Sequence, residues 1–230
     1  MKILFNYTTR SRRYNFLRGI DSIKDNIQDK KSYHILISVE NEMHDNAMHP
    51  LPDLACPHTY KVNPNAPTDK VDAINRDLNE FLEEYPADII VNMSDDMVFT
   101  QKGFDEIIRK YFMYEEEGNA LITSYSTDRF IHFPDGNRDD LCTMSIIGID
   151  YYNRDEYIYH PDYKSLWCDN EAQLVAQERG CYVKGNTVIF NHLHPAFHKG
   201  SYDKQYRETE ALSGVDAVTY RNRKANGFKN

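Results

Sequence analysis

The segment from Asp88 to Asp96 constrains the fold of this 230-residue chain more than any other. Positions 89–91 are Ile, Ile and Val, and such a β-branched run predicts a strand at residues 88–93 that is buried on both faces. Two acidic side chains, Asp95 and Asp96, come directly after the strand. Open α/β sheets bind their ligands at the carboxyl ends of the strands. The segment therefore predicts a buried strand that delivers two carboxylates to a binding site.

Strand and helix patterns alternate along the rest of the chain. Further strands are predicted at residues 2–7, 33–39, 120–125, 143–149 and 182–190. Apolar residues recur at helical spacing in four segments, residues 16–23, 71–82, 104–112 and 171–179. Five prolines between Met43 and Thr68 predict a long loop with one short strand at 59–62. This order predicts an α/β sandwich around a mostly parallel sheet.

Charge and hydropathy exclude several classes of protein. The chain has 27 Lys and Arg against 36 Asp and Glu, a formal net charge of −9, which argues against wholesale coating of nucleic acid or anionic lipid. No apolar run approaches the ~18 residues that a membrane span needs, and residues 1–6 meet polar side chains too soon for a signal peptide. The four cysteines lack CxxC spacing, which favours free thiols. We therefore expect a cytoplasmic protein.

Adjacent carboxylates at a strand end can divide two tasks between them. Successive side chains of an extended segment point in opposite directions, so one carboxylate can bind Mg²⁺ or Mn²⁺ while the other accepts a hydrogen bond from a sugar hydroxyl. Asp95 and Asp96 are also compatible with a solvated turn or a helix cap, and both interpretations stay open at this point.

Two further segments contain residue types that support catalysis. Asp169 opens a predicted helix after an aromatic stretch, where a carboxylate can act as a general base or simply cap the helix. His192 and His194 share one face at strand spacing, so both imidazoles could approach one metal ion or serve only in polar packing. A basic group could pair with a diphosphate or be ordinary surface charge, and it consists of Arg10, Arg12, Arg13 and Lys70.

Together these motifs resemble the GT-A glycosyltransferases, in particular the family 2-like inverting enzymes, over about residues 2–198. Ser94-Asp95-Asp96 is similar to the DXD motif of that family, and Trp167-Cys168-Asp169-Asn170-Glu171 is similar to its Trp-Gly-x-Glu-Asp-Asn-Glu segment. These two motifs contribute most of the resemblance. The other matching segments are Thr9-Arg10-Ser11-Arg12 after the first strand, Glu40 after the second, the Lys-x-x-Ala-x-Asn pattern at 70–75 and the late histidines.

The resemblance implies a GT-A (Rossmann-like) α/β/α sandwich that transfers a sugar from a nucleotide-sugar, most commonly a UDP-sugar, to an acceptor hydroxyl with inversion. Asp96 would bind Mn²⁺ or Mg²⁺ together with His192 or His194, and Asp95 would contact the ribose or the donor sugar. Asp169 would deprotonate the acceptor hydroxyl. The other implied roles are Arg10 and Glu40 near the base, Lys70 and Asn75 near the nucleotide or diphosphate, and Glu171 on acceptor or sugar hydroxyls.

The resemblance also implies a domain plan. Residues 1–198 would form one catalytic domain, with a nucleotide-sugar half at 1–100 and an acceptor half at 101–198. The sequence after His198 is polar and basic, which indicates a loosely attached tail or lid over residues 199–230.

The acceptor and two alternative classes remain open at this level. A soluble or macromolecular acceptor is preferred over a lipid-linked one. A saccharide or glycoconjugate is one candidate, and a faint similarity to phage-encoded transferases that glycosylate DNA makes hydroxymethylpyrimidine in DNA the other. A metal-dependent phosphoesterase or nuclease would use the same acidic residues and histidines. A non-catalytic sugar-binding module is the third class, because the 17 tyrosines supply faces on which sugars stack.

Overall fold

The computed structural model describes residues 1–10, 12–40, 50–63, 69–115 and 122–229. The described strands are β1 (Ile3–Thr9), β2 (Tyr33–Glu40), β3 (His58–Asn63), β4 (Ile89–Ser94), β5 (Met97–Phe99), β6 (Met113–Glu115), β7 (Ile122–Tyr125), β8 (Phe130–His132), β9 (Ile146–Gly148), β10 (Tyr182–Lys184) and β11 (Phe190–His192). The described helices are α1 (Arg13–Asn26), α2 (Lys70–Asn75), α3 (Leu78–Glu84), α4 (Phe104–Lys110), α5 (Ile149–Tyr152), α6 (Cys168–Glu178), α7 (Lys204–Ala211) and α8 (Ser213–Ala225).

Seven of the described strands form a central sheet in the order β10-β8-β9-β4-β1-β2-β3. Strand β9 runs antiparallel to its neighbours β4 and β8, and the other neighbours in the sheet are parallel. Strands β5 and β11 form a separate antiparallel pair, as do β6 and β7. The prediction of an α/β fold with a mostly parallel sheet is therefore confirmed.

Each face of the sheet has its own apolar core. Ile3, Phe5 and Tyr7 of β1 pack with α1 and α4, whereas Leu4 points to the opposite face and packs with α2, α3 and α6. This alternation follows from the two-residue repeat of a strand. Full burial of such a side chain stabilises the fold by about 1.5–3 kcal/mol. The result is an α/β/α sandwich in which β1 and β4 lie at the centre.

The carboxyl ends of β1 and β4 lie side by side. The two strands pair in parallel with Thr8 opposite Ser94, so both chains leave the sheet at the same edge. Close packing under this edge depends on Gly19 of α1, because a Cβ atom there would lie 2.2 Å from the hydroxyl of Tyr7. The sheet therefore presents the acidic pair beside the loop that follows β1.

The helix predicted at 71–82 is divided into α2 and α3. Asp77 lies between them, and its buried carboxylate accepts hydrogen bonds from the Ser38 hydroxyl at 2.8 Å and the Asn63 amide at 2.9 Å. These bonds tie the junction to β2 and β3. The strand predicted at 182–190 is likewise divided, into β10 in the central sheet and β11 in the pair with β5.

The described part of the predicted tail, residues 199–229, forms helices α7 and α8. Asp216 of α8 is fully buried and accepts hydrogen bonds of 2.8–2.9 Å from the three backbone N–H groups of residues 164–166. Arg223 forms an ion pair at 2.7 Å with Glu171, which is itself buried in α6. Helix α8 is thus anchored to α6 and to the loop before it.

Trp167 joins this loop to α6. Its φ of 66° is in the left-handed region, which costs a residue with a side chain about 1–2 kcal/mol. The indole ring lies 5.3 Å from the ring of Tyr220 in α8. Helix α8 therefore contacts the chain immediately before the first turn of α6. Within the described part of the chain, none of the helices has both the length and the apolar composition to cross a membrane.

Candidate active site

A cavity of about 630 Å³ opens at the carboxyl ends of β1 and β4. This volume is in the range that holds ligands of the size of a nucleotide. The titratable side chains in its lining come from loops and helices across the whole sequence, and they include Arg12, Lys70, Asp95, Asp96, Arg138, Asp169, His192, His194 and Tyr206. Seven of these nine residues are among those singled out from the sequence; Arg138 and Tyr206 are not.

The acidic pair is buried at the base of the cavity. Asp95 is 3% and Asp96 8% exposed. Asp96 accepts hydrogen bonds of 2.6 Å from the Ser94 hydroxyl and of 2.6 Å from the Tyr206 hydroxyl. Oδ1 of Asp95 is buried and has no hydrogen-bond partner among the described residues. Asp96 is therefore held in place, and Asp95 keeps a free acceptor.

The two carboxyl groups differ in acidity. Burial raises the pKa of Asp95 to about 8. Burial acts in the same direction on Asp96, but hydrogen bonds from His192, Ser94 and Tyr206 outweigh it and hold the pKa of Asp96 well below its usual range. At neutral pH Asp96 is therefore ionised. A cation or a hydrogen-bond donor brought by a ligand would also favour the ionised form of Asp95.

His192 lies between two carboxylates. Its Nε2 is 3.3 Å from Oδ2 of Asp96, and its Nδ1 is 3.4 Å from Oδ2 of Asp135. The antiparallel pairing of β11 with β5 sets His192 opposite Met97, the residue after the acidic pair. Burial lowers the pKa of His192, but the two carboxylates outweigh burial and raise the pKa to about 9.

His194 lies near the same site but has other partners. Its Nδ1 accepts a hydrogen bond of 3.2 Å from the backbone N–H of Ala196, and its ring packs 5.0 Å from the ring of Tyr206. Burial lowers the pKa of His194. Of the two histidines, His192 is the one whose ring nitrogen directly faces Asp96.

Asp96 and His192 form a donor pair that suits a divalent metal ion. Carboxylate oxygen and imidazole nitrogen are ligands for Mn²⁺, and carboxylate oxygen is preferred by Mg²⁺. The free buried oxygen of Asp95 beside them is a further acceptor. Across the described ranges, no group of three or more His, Cys, Asp and Glu side chains is arranged to hold a metal ion. An ion held here by two protein ligands would need water or ligand phosphates to complete its coordination.

Asp169 lines the same cavity from the first turn of α6. Its Oδ1 accepts a hydrogen bond of 2.9 Å from the backbone N–H of Asn170, which orients the carboxylate. Burial raises the pKa of Asp169, and the positive charge of Lys70 opposes that rise only in part. A carboxylate with a raised pKa is a better proton acceptor near neutral pH.

Two of the residues singled out from the sequence have structural partners away from the cavity. Glu171 forms the ion pair with Arg223 described above and accepts a hydrogen bond of 2.8 Å from the Tyr163 hydroxyl. Asn75 donates to the carbonyl oxygen of Tyr159 at 2.7 Å. The prediction for Glu40 concerns a side chain outside those that the structure describes.

Helix α7 contributes contacts that the sequence did not indicate. Arg12 forms a bidentate ion pair with Asp203, at 2.7 and 2.8 Å, and its guanidinium lies 4.1 Å over the ring of Tyr206. Arg10 pairs with Glu208. Asp203 caps α7 by accepting from the backbone N–H of Tyr206 at 3.1 Å, and this N-cap pattern was the available sequence signal for the helix. Tyr206 of α7 therefore contacts both Asp96 and Arg12.

Solved structures share this fold. The chain is similar to the mannosyltransferase PcManGT from Pyrobaculum calidifontis, solved in complex with GDP-Man and Mn²⁺, with a TM-score of 0.63 and 11% identity over 95% of this chain and 64% of that one. It is also similar to residues 1–349 of TarS from S. aureus, with a TM-score of 0.58 and 7% identity over 83% of this chain and 60% of that one. TarS has also been solved in complex with UDP.

These similarities define the fold as that of the GT-A glycosyltransferases, which confirms the fold predicted from the motifs. The chain spans less than two thirds of the length of either structure. No protein-family model matches the sequence, and no curated protein matches it.

Proposed function

We propose that this protein is a metal-dependent glycosyltransferase that moves a sugar from a nucleotide-sugar, most simply a UDP-sugar, to an acceptor hydroxyl with inversion. One observation is central to the proposal. The DXD-like pair at the end of β4, the facing His192 and the carboxylate of Asp169 all line one cavity. The GT-A fold, found in structures solved with GDP-Man, UDP and Mn²⁺, supports a nucleotide-sugar as the donor.

Asp96 and His192 are the residues that would hold the divalent ion, and Asp95 would accept a hydrogen bond from a donor hydroxyl. A bound divalent ion neutralises the negative charge that develops on a departing nucleoside diphosphate. Lys70 and Arg12 add positive charge to the same cavity. Since Arg12 already binds the carboxylate of Asp203, a diphosphate can replace that carboxylate with the same bidentate geometry.

Asp169 would take the proton of the acceptor hydroxyl. The oxygen then attacks the anomeric carbon as the bond to the diphosphate breaks on the opposite face of the sugar. Such a single displacement inverts the anomeric centre. Because Glu171 is bonded to Arg223 and Tyr163, we assign it to the support of α6 and not to acceptor binding. We take the acceptor to be a saccharide or glycoconjugate hydroxyl.

The first test is calorimetric titration of GDP- and UDP-sugars into the protein, with Mn²⁺ and then with EDTA. We expect one nucleotide class to bind with Mn²⁺ and to lose most of its affinity in EDTA. Asp96→Ala should remove the Mn²⁺-dependent part of that affinity, whereas Asp21→Ala, an exposed carboxylate on α1, should not change it.

Transfer is then assayed with saccharide acceptors and with hydroxymethylated DNA. Release of phosphate from a simple ester without any donor sugar would favour the phosphoesterase interpretation. Sugar binding that needs neither metal nor nucleotide, and no turnover, would favour a sugar-binding module. Either result would contradict the proposed transfer.

A further inference from the structure

The loop after β8 places a buried carboxylate, that of Asp135, next to His192, one of the two proposed metal ligands. Strand β8 runs parallel to β4 through the antiparallel β9 between them, so its carboxyl end lies at the same edge of the sheet. Asp135 follows β8 by three residues and is fully buried. A buried carboxylate needs bonding partners, and every partner of Asp135 described below belongs to its own turn or to the site.

The two oxygens of Asp135 have separate functions. Oδ1 accepts hydrogen bonds of 2.9 Å from the backbone N–H groups of Asn137 and Arg138, which builds the turn. Oδ2 lies 3.4 Å from Nδ1 of His192 and accepts from the Thr143 hydroxyl at 3.1 Å. One oxygen therefore shapes the loop, and the other is free of that task and faces the histidine ring.

The turn also forms hydrogen bonds with the backbone of His192. The backbone N–H of His192 donates to the carbonyl oxygen of Asp135 at 2.9 Å, and the Asn137 amide donates to the carbonyl oxygen of His192 at 2.7 Å. Gly136 has a φ of +76°, and a Cβ atom there would lie 2.1 Å from Oδ1 of Asn191. The turn is therefore bonded to β11 through both backbone groups of His192.

We propose that Asp135 is a positioning residue for the metal site: by accepting from Nδ1–H of His192 it keeps Nε2 of that ring directed at Asp96. This inference rests on the proposed function, because it concerns the metal ion that a transferase would use. Histidines that bind metals generally donate their second ring N–H to such a partner, and loss of the partner typically weakens metal binding 10–100-fold.

Asp135→Asn separates the two functions of the side chain. The amide oxygen of the new asparagine can still accept hydrogen bonds from the backbone N–H groups of the turn. Its NH₂ group then faces Nδ1–H of His192, and a donor that faces another donor forms no hydrogen bond. Asp135→Ser is a second variant, because a serine hydroxyl can preserve the turn but is too short to reach the ring. Asp139→Asn is the matched control, since it removes one charge from the same loop at a carboxylate that is exposed and paired with Lys184 at 3.1 Å.

The experiment is titration of Mn²⁺ into each protein in the presence of UDP, followed by electron paramagnetic resonance. Free Mn²⁺ gives the affinity, and the spin-echo modulation from a bound imidazole nitrogen reports whether His192 is a ligand. We expect Asp135→Asn to weaken Mn²⁺ binding about 10–100-fold and to diminish the nitrogen modulation. Asp139→Asn should match the wild type in both measurements.

A double-mutant comparison tests whether Asp135 affects Mn²⁺ affinity through His192. In a His192→Ala background Asp135→Asn should leave the Mn²⁺ affinity unchanged, because the effect passes through the ring. Wild-type affinity and nitrogen modulation in folded Asp135→Asn and Asp135→Ser proteins would overturn the positioning role and leave the proposed function intact. Failure of the wild type itself to bind Mn²⁺ with any nucleotide would instead overturn the proposed metal site, and this inference with it.

Discussion

Single side chains in the cavity are distinguished by what they touch. Asp96 is fixed by three donors, Asp95 has a buried oxygen without a described partner, and Asp169 is oriented by one backbone N–H group. These three aspartates share a residue type and a cavity but have different acidities, because burial raises the pKa of Asp95 and Asp169 while hydrogen bonds lower that of Asp96. A shared cavity with separated acidities is typical of sites that assign a different task to each carboxylate.

Asp169→Asn should leave Mn²⁺-dependent donor binding unchanged and lower kcat about 10²–10⁴-fold, because an amide cannot accept the acceptor proton. The wild-type rate should fall as pH decreases through the pKa of Asp169, since only the ionised form is a base. Burial raises that pKa, so the loss should begin at a higher pH than for an exposed aspartate. A pH profile of kcat at saturating donor and acceptor on both proteins tests this, because kcat reports the groups of the enzyme–substrate complex and not the free Asp95 carboxyl, whose pKa is raised to about 8.

The residual rate of Asp169→Asn should not show this fall at low pH, the acidic limb of the profile. Full transfer activity in that variant, or the same acidic limb in both proteins, would refute the assignment of the base.

The residues that the sequence could identify are those fixed by local pattern. Asp95 and Asp96 follow a β-branched strand, and Asp169 begins a helix, so a short window is enough to place each of them near a ligand. Asp135 and Tyr206 reach Asp96 and His192 only through the packing of distant loops and helices. No local pattern carries that information. The choice between His192 and His194 also depended on the pairing of β11 with β5, which a single strand does not reveal.

Helices and strands followed the apolar pattern wherever that pattern was uninterrupted. Strands β1, β2 and β4 occupy the predicted segments within two residues at each end, because their side chains are buried on both faces and the pattern is strong. The helix predicted at 71–82 is interrupted by the bonds of Asp77 to β2 and β3, which are tertiary contacts. The anchoring of α8 also depends on a polar residue, since Asp216 bonds three backbone N–H groups of the loop before α6.

Asp216→Ala tests that anchor at the level of the helix. The change leaves three backbone N–H groups without their charged acceptor, so we expect a loss of about 3 kcal/mol in the free energy of unfolding. For a chain of this length that corresponds to a fall in Tm of roughly 6–12 °C. Thermal unfolding by circular dichroism measures the change.

Asp21→Ala serves again as the control, because Asp21 is exposed and pairs only with Lys24 among the described residues. It should alter stability by less than about 0.5 kcal/mol. An Asp216→Ala protein as stable as this control would show that α8 is held by its other contacts.

At the scale of the whole molecule, the C-terminal helices join the two sides of the cavity. Helix α7 contacts Arg12 in the loop after β1 and, through Tyr206, Asp96, whereas α8 is bonded to α6 and the preceding loop. The polar composition of residues 199–230 predicts a loosely attached tail, because apolar residues are few there and the two buried residues described there, Tyr206 and Asp216, both carry polar groups. The groups that bind Tyr206 and Asp216 are Asp96 and the backbone of residues 164–166, which lie far away in the sequence.

Truncation after His198 should therefore affect both stability and the site. It removes Arg223, one of two described partners of Glu171, and Tyr206, one of three donors to Asp96, so we expect a lower Tm and weaker Mn²⁺-dependent nucleotide binding than in the full chain. Removal of residues 229 and 230 alone is the control. Calorimetry and thermal unfolding measure both effects, and a truncated protein equal to the full chain in Tm and in nucleotide affinity would show that the helices are dispensable.

The contact between Trp167 and Tyr220 has a practical consequence. Trp167 is the single tryptophan of the chain, and it stands between α8 and the turn that carries Asp169. Tryptophan fluorescence of the unlabelled protein therefore originates from one known position beside the proposed base. The emission from that indole reports whether the C-terminal helix is docked while nucleotide, metal and acceptor are added in turn.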